Sequence, residues 1–194
     1  MKTIIVATDF SKEANNAAIY ASNFAANTGA KIILFHIYHV SIHALNGRVQ
    51  SSSMDELTKT NRNKLIDAAT KLSEDYKIDV TPIWKTGDFL EELQITIDST
   101  QADIVVMGME KNSIEQDLLG NRTTAALQTL KFPILAVPLH AVYKGLNTIL
   151  FACDITRGVH KTILEKVKDI AVKLGATIEI FHVTKKIIQI ENEQ

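Results

Sequence analysis

The stretch Lys2-Thr-Ile-Ile-Val-Ala-Thr-Asp-Phe-Ser11 holds an unbroken apolar run, Ile4 to Ala7, that stops abruptly at Asp9. A strand apolar at every position, rather than at every second one, is what a parallel sheet covered on both faces requires. Ser11 then offers an N-cap. Ala14, Ala17, Ala18, Ala21, Phe24 and Ala25 follow at helical spacing. Gly29 suits the left-handed position that ends a helix. Lys31-Ile-Ile-Leu-Phe-His36 predicts a second strand. Two strands joined through a helix form the crossover unit of parallel sheets, so this first segment decides the fold class.

The same alternation continues outward. Residues 38–50 read as a polar loop, and Ser53-Met-Asp-Glu56 as a capping box for a long helix over Leu57, Leu65, Ala68, Ala69 and Leu72. Asp79-Val-Thr-Pro-Ile-Trp84 is a third strand, and Pro82, which has no N–H for a ladder, assigns it to a sheet edge. Gly87-Asp88 opens a helix over Leu90, Leu93 and Ile97. Asp103 to Met107 is a fourth strand. Gly120-Asn121 opens a helix over Ala125, Ala126, Leu127 and Leu130, and Phe132 to Val137 is a fifth strand. The expected fold is α/β, a five-stranded parallel sheet flanked by helices with right-handed crossovers. Ligands of such sheets sit beyond the strand C-termini where the strand order reverses, which directs attention to the loops after strands one, two and four.

At 194 residues the chain suits one ordinary domain and part of another. A net charge of −1 supplies no basic face, so no nucleic-acid partner is expected. No apolar run nears the roughly 18 residues of a membrane span. The run after Lys2 is too short for a signal peptide. Cys153, the single cysteine, excludes an internal disulfide framework and fits a reducing interior. A cytoplasmic protein without membrane contact is the expectation.

The opening segment recurs. Residues 2–39 begin "KTIIVATDFS" and end "TGAKIILFHIYH"; residues 147–184 begin "NTILFACDIT" and end "LGATIEIFHVT". Asp9, Gly29 and His36 return as Asp154, Gly175 and His182, with the spacing read as gapless. The second copy stops after strand, helix, strand. The expected organisation is a domain at 1–140 followed by a βαβ half-repeat and tail at 141–194. The half-repeat lacks the strand that should pair with Thr148 to Ala152. This open edge predicts a homodimer or higher oligomer, or packing against the fifth strand; the alternative is a fragment of a longer tandem protein whose missing part would complete the sheet.

Taken together, "IIVATDFS", "ILFHI" and "DIVVMG…LLGN…FPILAVP" resemble the universal stress protein family. The resemblance covers a whole domain in residues 1–140 and its first third in the second copy. It implies sheet order 3-2-1-4-5 and a non-enzymatic stress-response regulator. Some members of that family bind ATP or AMP and others bind no nucleotide. Binders resemble Gly-x2-Gly-x9-Gly-Ser/Thr after strand four, with an aspartate after strand one. Carried onto this sequence, the resemblance implies a binding set of Thr8, Asp9, Ile37, Gly108, Met109, Lys111, Gly120, Asn121, Arg122 and Thr123. Asp9 would meet the ribose or adenine side and Ile37 would line the adenine pocket. Gly108 would let backbone approach the phosphates. Gly120, Asn121 and Thr123 would present a helix N-terminus to them, with or without Mg²⁺. The pattern departs from the family in carrying Lys111 for the second glycine, Asn121 for Ser/Thr and one residue fewer before Gly120. A nucleotide-free dimerisation scaffold is therefore the alternative. Slow ATP hydrolysis has weaker support, because neither a designated base nor a carboxylate pair for magnesium is visible.

Other constellations favour structural roles. His36, His39 and His43 are close enough for metal ligation but follow neither helical nor zinc-finger spacing, so no metal is expected. Asp9, Ser11 and His36 resemble a hydrolytic triad in composition only: no nucleophile elbow is present and Ser11 already caps a helix. Met107 and Met109 read as packing around the glycine, and Cys153 as a small buried hydrophobe.

Overall fold

The computed structural model describes residues 1–38, 51–109, 122–153, 158 and 161–182, with backbone alone for 51–57. The elements are β1 (Thr3–Ala7), α1 (Lys12–Thr28), β2 (Lys31–Tyr38), α2 (Ser51–Tyr76), β3 (Val80–Thr86), α3 (Phe89–Thr100), β4 (Ile104–Met109), α4 (Arg122–Thr129), β5 (Ile134–Pro138), β6 (Thr148–Ala152), α5 (Lys161–Leu174) and β7 (Thr177–Phe181). The chain divides into two compact units, Met1–Tyr143 and Lys144–Gln194.

In the first unit five strands form a parallel sheet of order β3-β2-β1-β4-β5. β3 with its Pro82 lies at one edge, as its missing donor demands. β1 is central and buried throughout. Side chains alternate across the sheet. Ile5, Ala7, Phe35, Ile37, Val105 and Met107 face Phe89, Leu93 and Ile97 of α3 and Ala126 of α4. The intervening positions, Ile4, Val6, Ile32 and Leu34, are equally buried and turn to the other face, where α1 presents its alanines and Phe24.

Caps are made by the expected residues. Ser11 accepts from the Ala14 amide at 3.1 Å and Gly29 closes α1 at φ 69°. Asp88 caps α3 through the amides of Leu90 and Glu91. α2 departs from expectation: it is already running at Ser51, so Ser53 lies inside it. The loop expected from residue 38 begins no earlier than 39, because β2 keeps pairing with β3 through Tyr38↔Thr86. Its remaining residues, 39–50, lie outside the described residues.

Two contacts tie the C-terminal end of this sheet together. Gly108 lies against the first turn of α1, where a Cβ would stand 2.4 Å from the Glu13 carbonyl carbon and 2.7 Å from the Ala14 nitrogen. His36 is buried, and its Nδ1 lies 2.7 Å from the Thr8 carbonyl oxygen. A carbonyl only accepts, so Nδ1 carries the proton and joins the end of β1 to β2. Burial first, and then the Arg122 charge, press the His36 pKa below its usual value, while the bond to Thr8 opposes them.

The second unit reproduces the first copy's connections. β6 and β7 pair in parallel as a separate two-stranded sheet. The Cys153 amide donates to the Phe181 carbonyl at 3.0 Å, as Thr8 does to Phe35 at 2.8 Å. His182 Nδ1 lies 3.1 Å from the Cys153 carbonyl, as His36 does from Thr8. Gly175 takes φ 65°, as Gly29 takes 69°. The spacing is not gapless. Thr3 pairs with Lys31 but Thr148 with Thr177, so the second copy carries one more residue between its strands, gained between Asp154 and Gly175. A crossover that passes off the sheet absorbs such an insertion without disturbing register. Among the described strands β6 pairs with β7.

Replacing Gly108 by alanine sets a methyl group against backbone that cannot rotate away. We expect a loss of about 1–3 kcal/mol, read as a lower urea midpoint with unchanged slope. His36 generates a pH dependence. Because the fold lowers its pKa, the unfolded chain binds the proton more readily. Stability is therefore full above the unfolded value of about 6.5 and declines as pH falls toward the folded value. Denaturation at successive pH values should show this slope reduced in His36→Gln.

Candidate functional site

The strand order reverses between β1 and β4, whose neighbours lie on opposite sides. At that point the turn after β1 is built by its own side chains. The Phe10 amide donates to Thr8 Oγ1 at 3.0 Å and the Ser11 amide to Asp9 Oδ1 at 2.9 Å. Phe10 takes φ 65°, a region disfavoured for a residue with a Cβ. Strain of about 1–3 kcal/mol is tolerated here because the ring is held on two sides: His36 lies 4.7 Å from it between centroids, and Lys64 Nζ lies 4.4 Å from its centre.

Asp9 stands exposed at this turn. Desolvation works to raise its pKa, yet hydrogen bonds from the Ser11 hydroxyl and amide, its own amide and the Arg122 charge together hold it below the ordinary carboxylate value. It is thus an ionised acceptor at neutral pH. Opposite it, α4 begins with Arg122, whose guanidinium carbon lies 5.5 Å from the Phe89 ring centre. Thr123, buried in the first turn of α4, donates its hydroxyl to the Gly108 carbonyl at 2.8 Å. That bond fixes the start of α4 to the end of β4. An acceptor, a cation and a helix N-terminus therefore share one end of the sheet, a combination able to hold a polar anion carrying hydroxyl groups.

The positions expected from sequence are distributed as follows. Thr8, Asp9, Gly108, Met109, Arg122 and Thr123 gather around the β1–β4 switch. Ile37 belongs to the apolar cluster beneath Phe89 and is buried there. Lys111, Gly120 and Asn121 lie outside the described residues, as do His39 and His43. Ser11 is engaged as the α1 cap and His36 with the Thr8 carbonyl, so these two and Asp9 do not form a hydrolytic relay. Among the described residues no cluster of three His, Cys, Asp or Glu could hold a metal. No described helix is long and apolar enough to cross a membrane.

Two features of the site escaped the sequence. Gly108 is required by the α1 backbone, a contact between segments far apart in the chain. A ring series runs from Phe10 to His36, on to Trp84 at 5.0 Å, and to Tyr38 at 5.3 Å from Trp84. Its only sequence signal was the alternation that puts His36, Tyr38 and Trp84 on one face once the β2–β3 register is known.

Comparison with known proteins agrees with this geometry. Residues 1–138 match the model of the universal stress protein family. Universal stress protein MJ0531 of Methanocaldococcus jannaschii is 26% identical over 140 residues, 70% of this chain and 81% of its own length. A universal stress protein structure from Archaeoglobus fulgidus superposes at TM-score 0.70 with 19% identity, over 95% of this chain and 68% of that one. A universal stress protein in complex with cAMP reaches TM-score 0.51 at 21% identity, covering 71% of this chain and 97% of that one. An Arabidopsis thaliana family protein with AMP bound gives 0.51 at 15% identity, over 71% and 92%. The strand order, the repeated βαβ unit and the match across the first unit lead to one assignment: the chain belongs to the universal stress protein family.

Proposed function

We propose that this chain is a non-enzymatic stress-response regulator whose first unit binds an adenine nucleotide, ATP or AMP, at the β1–β4 switch point. The observation that carries this reading is the Thr123–Gly108 hydrogen bond, which sets the α4 N-terminus and Arg122 beside the end of β4 on the same side of the sheet as Asp9. The donor set fits such a ligand. Arg122 and the first amides of α4 match phosphate oxygens. Asp9, ionised and partly held by Ser11, keeps acceptor capacity for a ribose hydroxyl. Lys111, Gly120 and Asn121 complete the phosphate side in this reading, and Asp9 is the carboxylate that would serve an accompanying Mg²⁺. Two fold neighbours that hold cAMP and AMP lend support, since both are adenine nucleotides on this architecture. A regulator rather than an enzyme is the reading that membership of this family favours.

A second reading, assembly through the half-repeat, rests on a separate observation. Ile5 and Phe35 are fully buried in the first unit, whereas their counterparts Leu150 and Phe181 are 59% and 47% exposed. Each apolar side chain kept in water forgoes roughly 1.5–3 kcal/mol, and β6 has an edge that no described strand pairs. In this reading the chain is a homodimer or higher oligomer in the cytoplasm, joined at that edge.

Thermal melts with millimolar ATP, ADP, AMP and cAMP should raise Tm by several degrees for at least one nucleotide. A hundredfold excess over Kd contributes about 2.7 kcal/mol. Arg122→Ala should lose most of that shift while melting normally without ligand. A flat response to all four nucleotides would end the nucleotide reading. Assembly is tested independently by sedimentation equilibrium. The wild-type chain should associate with rising concentration, and Leu150→Lys with Phe181→Lys should remain monomeric.

A further inference from the structure

We propose that the cleft between α2 and the edge strand β3 is a binding site for a small aromatic carboxylate, with its ring against Trp84 and its carboxylate on Arg62. The cleft measures about 270 Å³ and is lined by Arg62, Leu65, Ile66, Pro82 and Trp84. It lies on the face opposite α3 and α4, two strands away from the β1–β4 switch, and is a different site from the one proposed above.

The lining selects the ligand class. Leu65, Ile66 and Pro82 supply apolar wall, and Ile66 keeps 43% of its surface exposed there. Trp84 is half-buried, and its indole is held by His36 at 5.0 Å and by stacking with Tyr38 at 5.3 Å. Its remaining surface is thus presented in a fixed orientation, which suits a flat ring. The cleft is somewhat smaller than the roughly 300–1,000 Å³ usual for ligand pockets, a size for one ring rather than a nucleotide.

Charge then narrows the choice. Arg62 is exposed, and no carboxylate among the described residues pairs with it. Its neighbours at helical spacing, Thr58, Lys59, Leu65 and Ile66, include no acid. A guanidinium fork satisfies both oxygens of a carboxylate. A phosphate, with a further oxygen and a second charge, would meet no second charged side chain in the lining. One cation amid apolar walls therefore favours a monoanion with an apolar body.

Trp84 is the chain's single tryptophan, so its fluorescence reports on the cleft directly. Titration of the full chain with phenylacetate should give a saturable change. Phenylacetamide, of the same shape without charge, should bind about tenfold more weakly or worse. Inorganic phosphate should leave the emission unaltered. Arg62→Gln, an exposed change that leaves the circular dichroism spectrum as it was, should weaken phenylacetate by about tenfold. A response that never saturates, equal binding of acid and amide, or undiminished binding in Arg62→Gln would each overturn the proposal. A positive result with phenylacetate and none with adenine nucleotides would uphold this cleft while removing the nucleotide reading.

Discussion

The first unit depends on one close approach, that of the α1 backbone to the end of β4 at Gly108. A helix packed on a sheet is usually held off by side chains from both surfaces. Here the Glu13 and Ala14 backbone occupies the space where a Cβ would sit. Ala14, Ala17, Ala18 and Ala21 continue the small surface along the helix. The approach brings the N-terminus of α1 beside the last residues of β4, so the turn carrying Asp9 and the strand carrying Gly108 meet at the switch point. Thr123 then binds the carbonyl of that same glycine. Two helix N-termini are thereby anchored at one strand end, and the chemistry of the site follows from that anchoring.

Electrostatics at this end of the sheet are coupled rather than additive. Arg122 at the first position of α4 carries the sign that a helix N-terminus disfavours. Asp9 answers it, and the same guanidinium lowers the proton affinity of both Asp9 and His36. His36 keeps its proton on Nδ1 for the Thr8 carbonyl and remains neutral between Phe10 and Trp84. Both shifts run downward: burial at Asp9 is outweighed by the Ser11 hydroxyl and amide, burial lowers His36, and Arg122 adds to each. Any anion entering there would compete with Asp9 for Arg122.

Local sequence made the fold readable wherever one residue type answers one local requirement. Continuous apolar runs marked β1, β2 and β4, because burial on both faces leaves no room for alternation. Pro82 marked the sheet edge, and Ser11, Asp88 and Gly29 marked helix ends through capping geometry. The start of α2 was less legible: the helix already runs at Ser51, two residues ahead of the capping box read from Ser53. The candidate site was legible in its membership around Asp9, Gly108 and Thr123, but not in its causes. Gly108 looked like a residue for a ligand's approach, yet the requirement visible in the fold is the α1 backbone. Phe10, Lys64, His36 and Trp84 come from a turn, a helix and two strands, and no local pattern announces that they meet. Contacts of that kind exist only once register and crossover geometry have been set.

The duplicated βαβ unit separates what a module does for itself from what its neighbours do for it. Strand pairing, the left-handed glycine and the histidine bonded to the preceding strand's carbonyl recur in both copies. These are intrinsic, and they survive an inserted residue. Burial is not intrinsic. Ile5, closed over by β4, α3 and α4, is inaccessible, while its counterpart Leu150 is mostly exposed. A strand–helix–strand unit can thus specify its own register but cannot complete its own core. The candidate nucleotide site obeys the same rule: the first copy's module supplies Thr8, Asp9 and Ile37, and Gly108, Met109, Arg122 and Thr123 come from the elements that close it. By this logic any function resting on the switch point belongs to residues 1–143 as a whole.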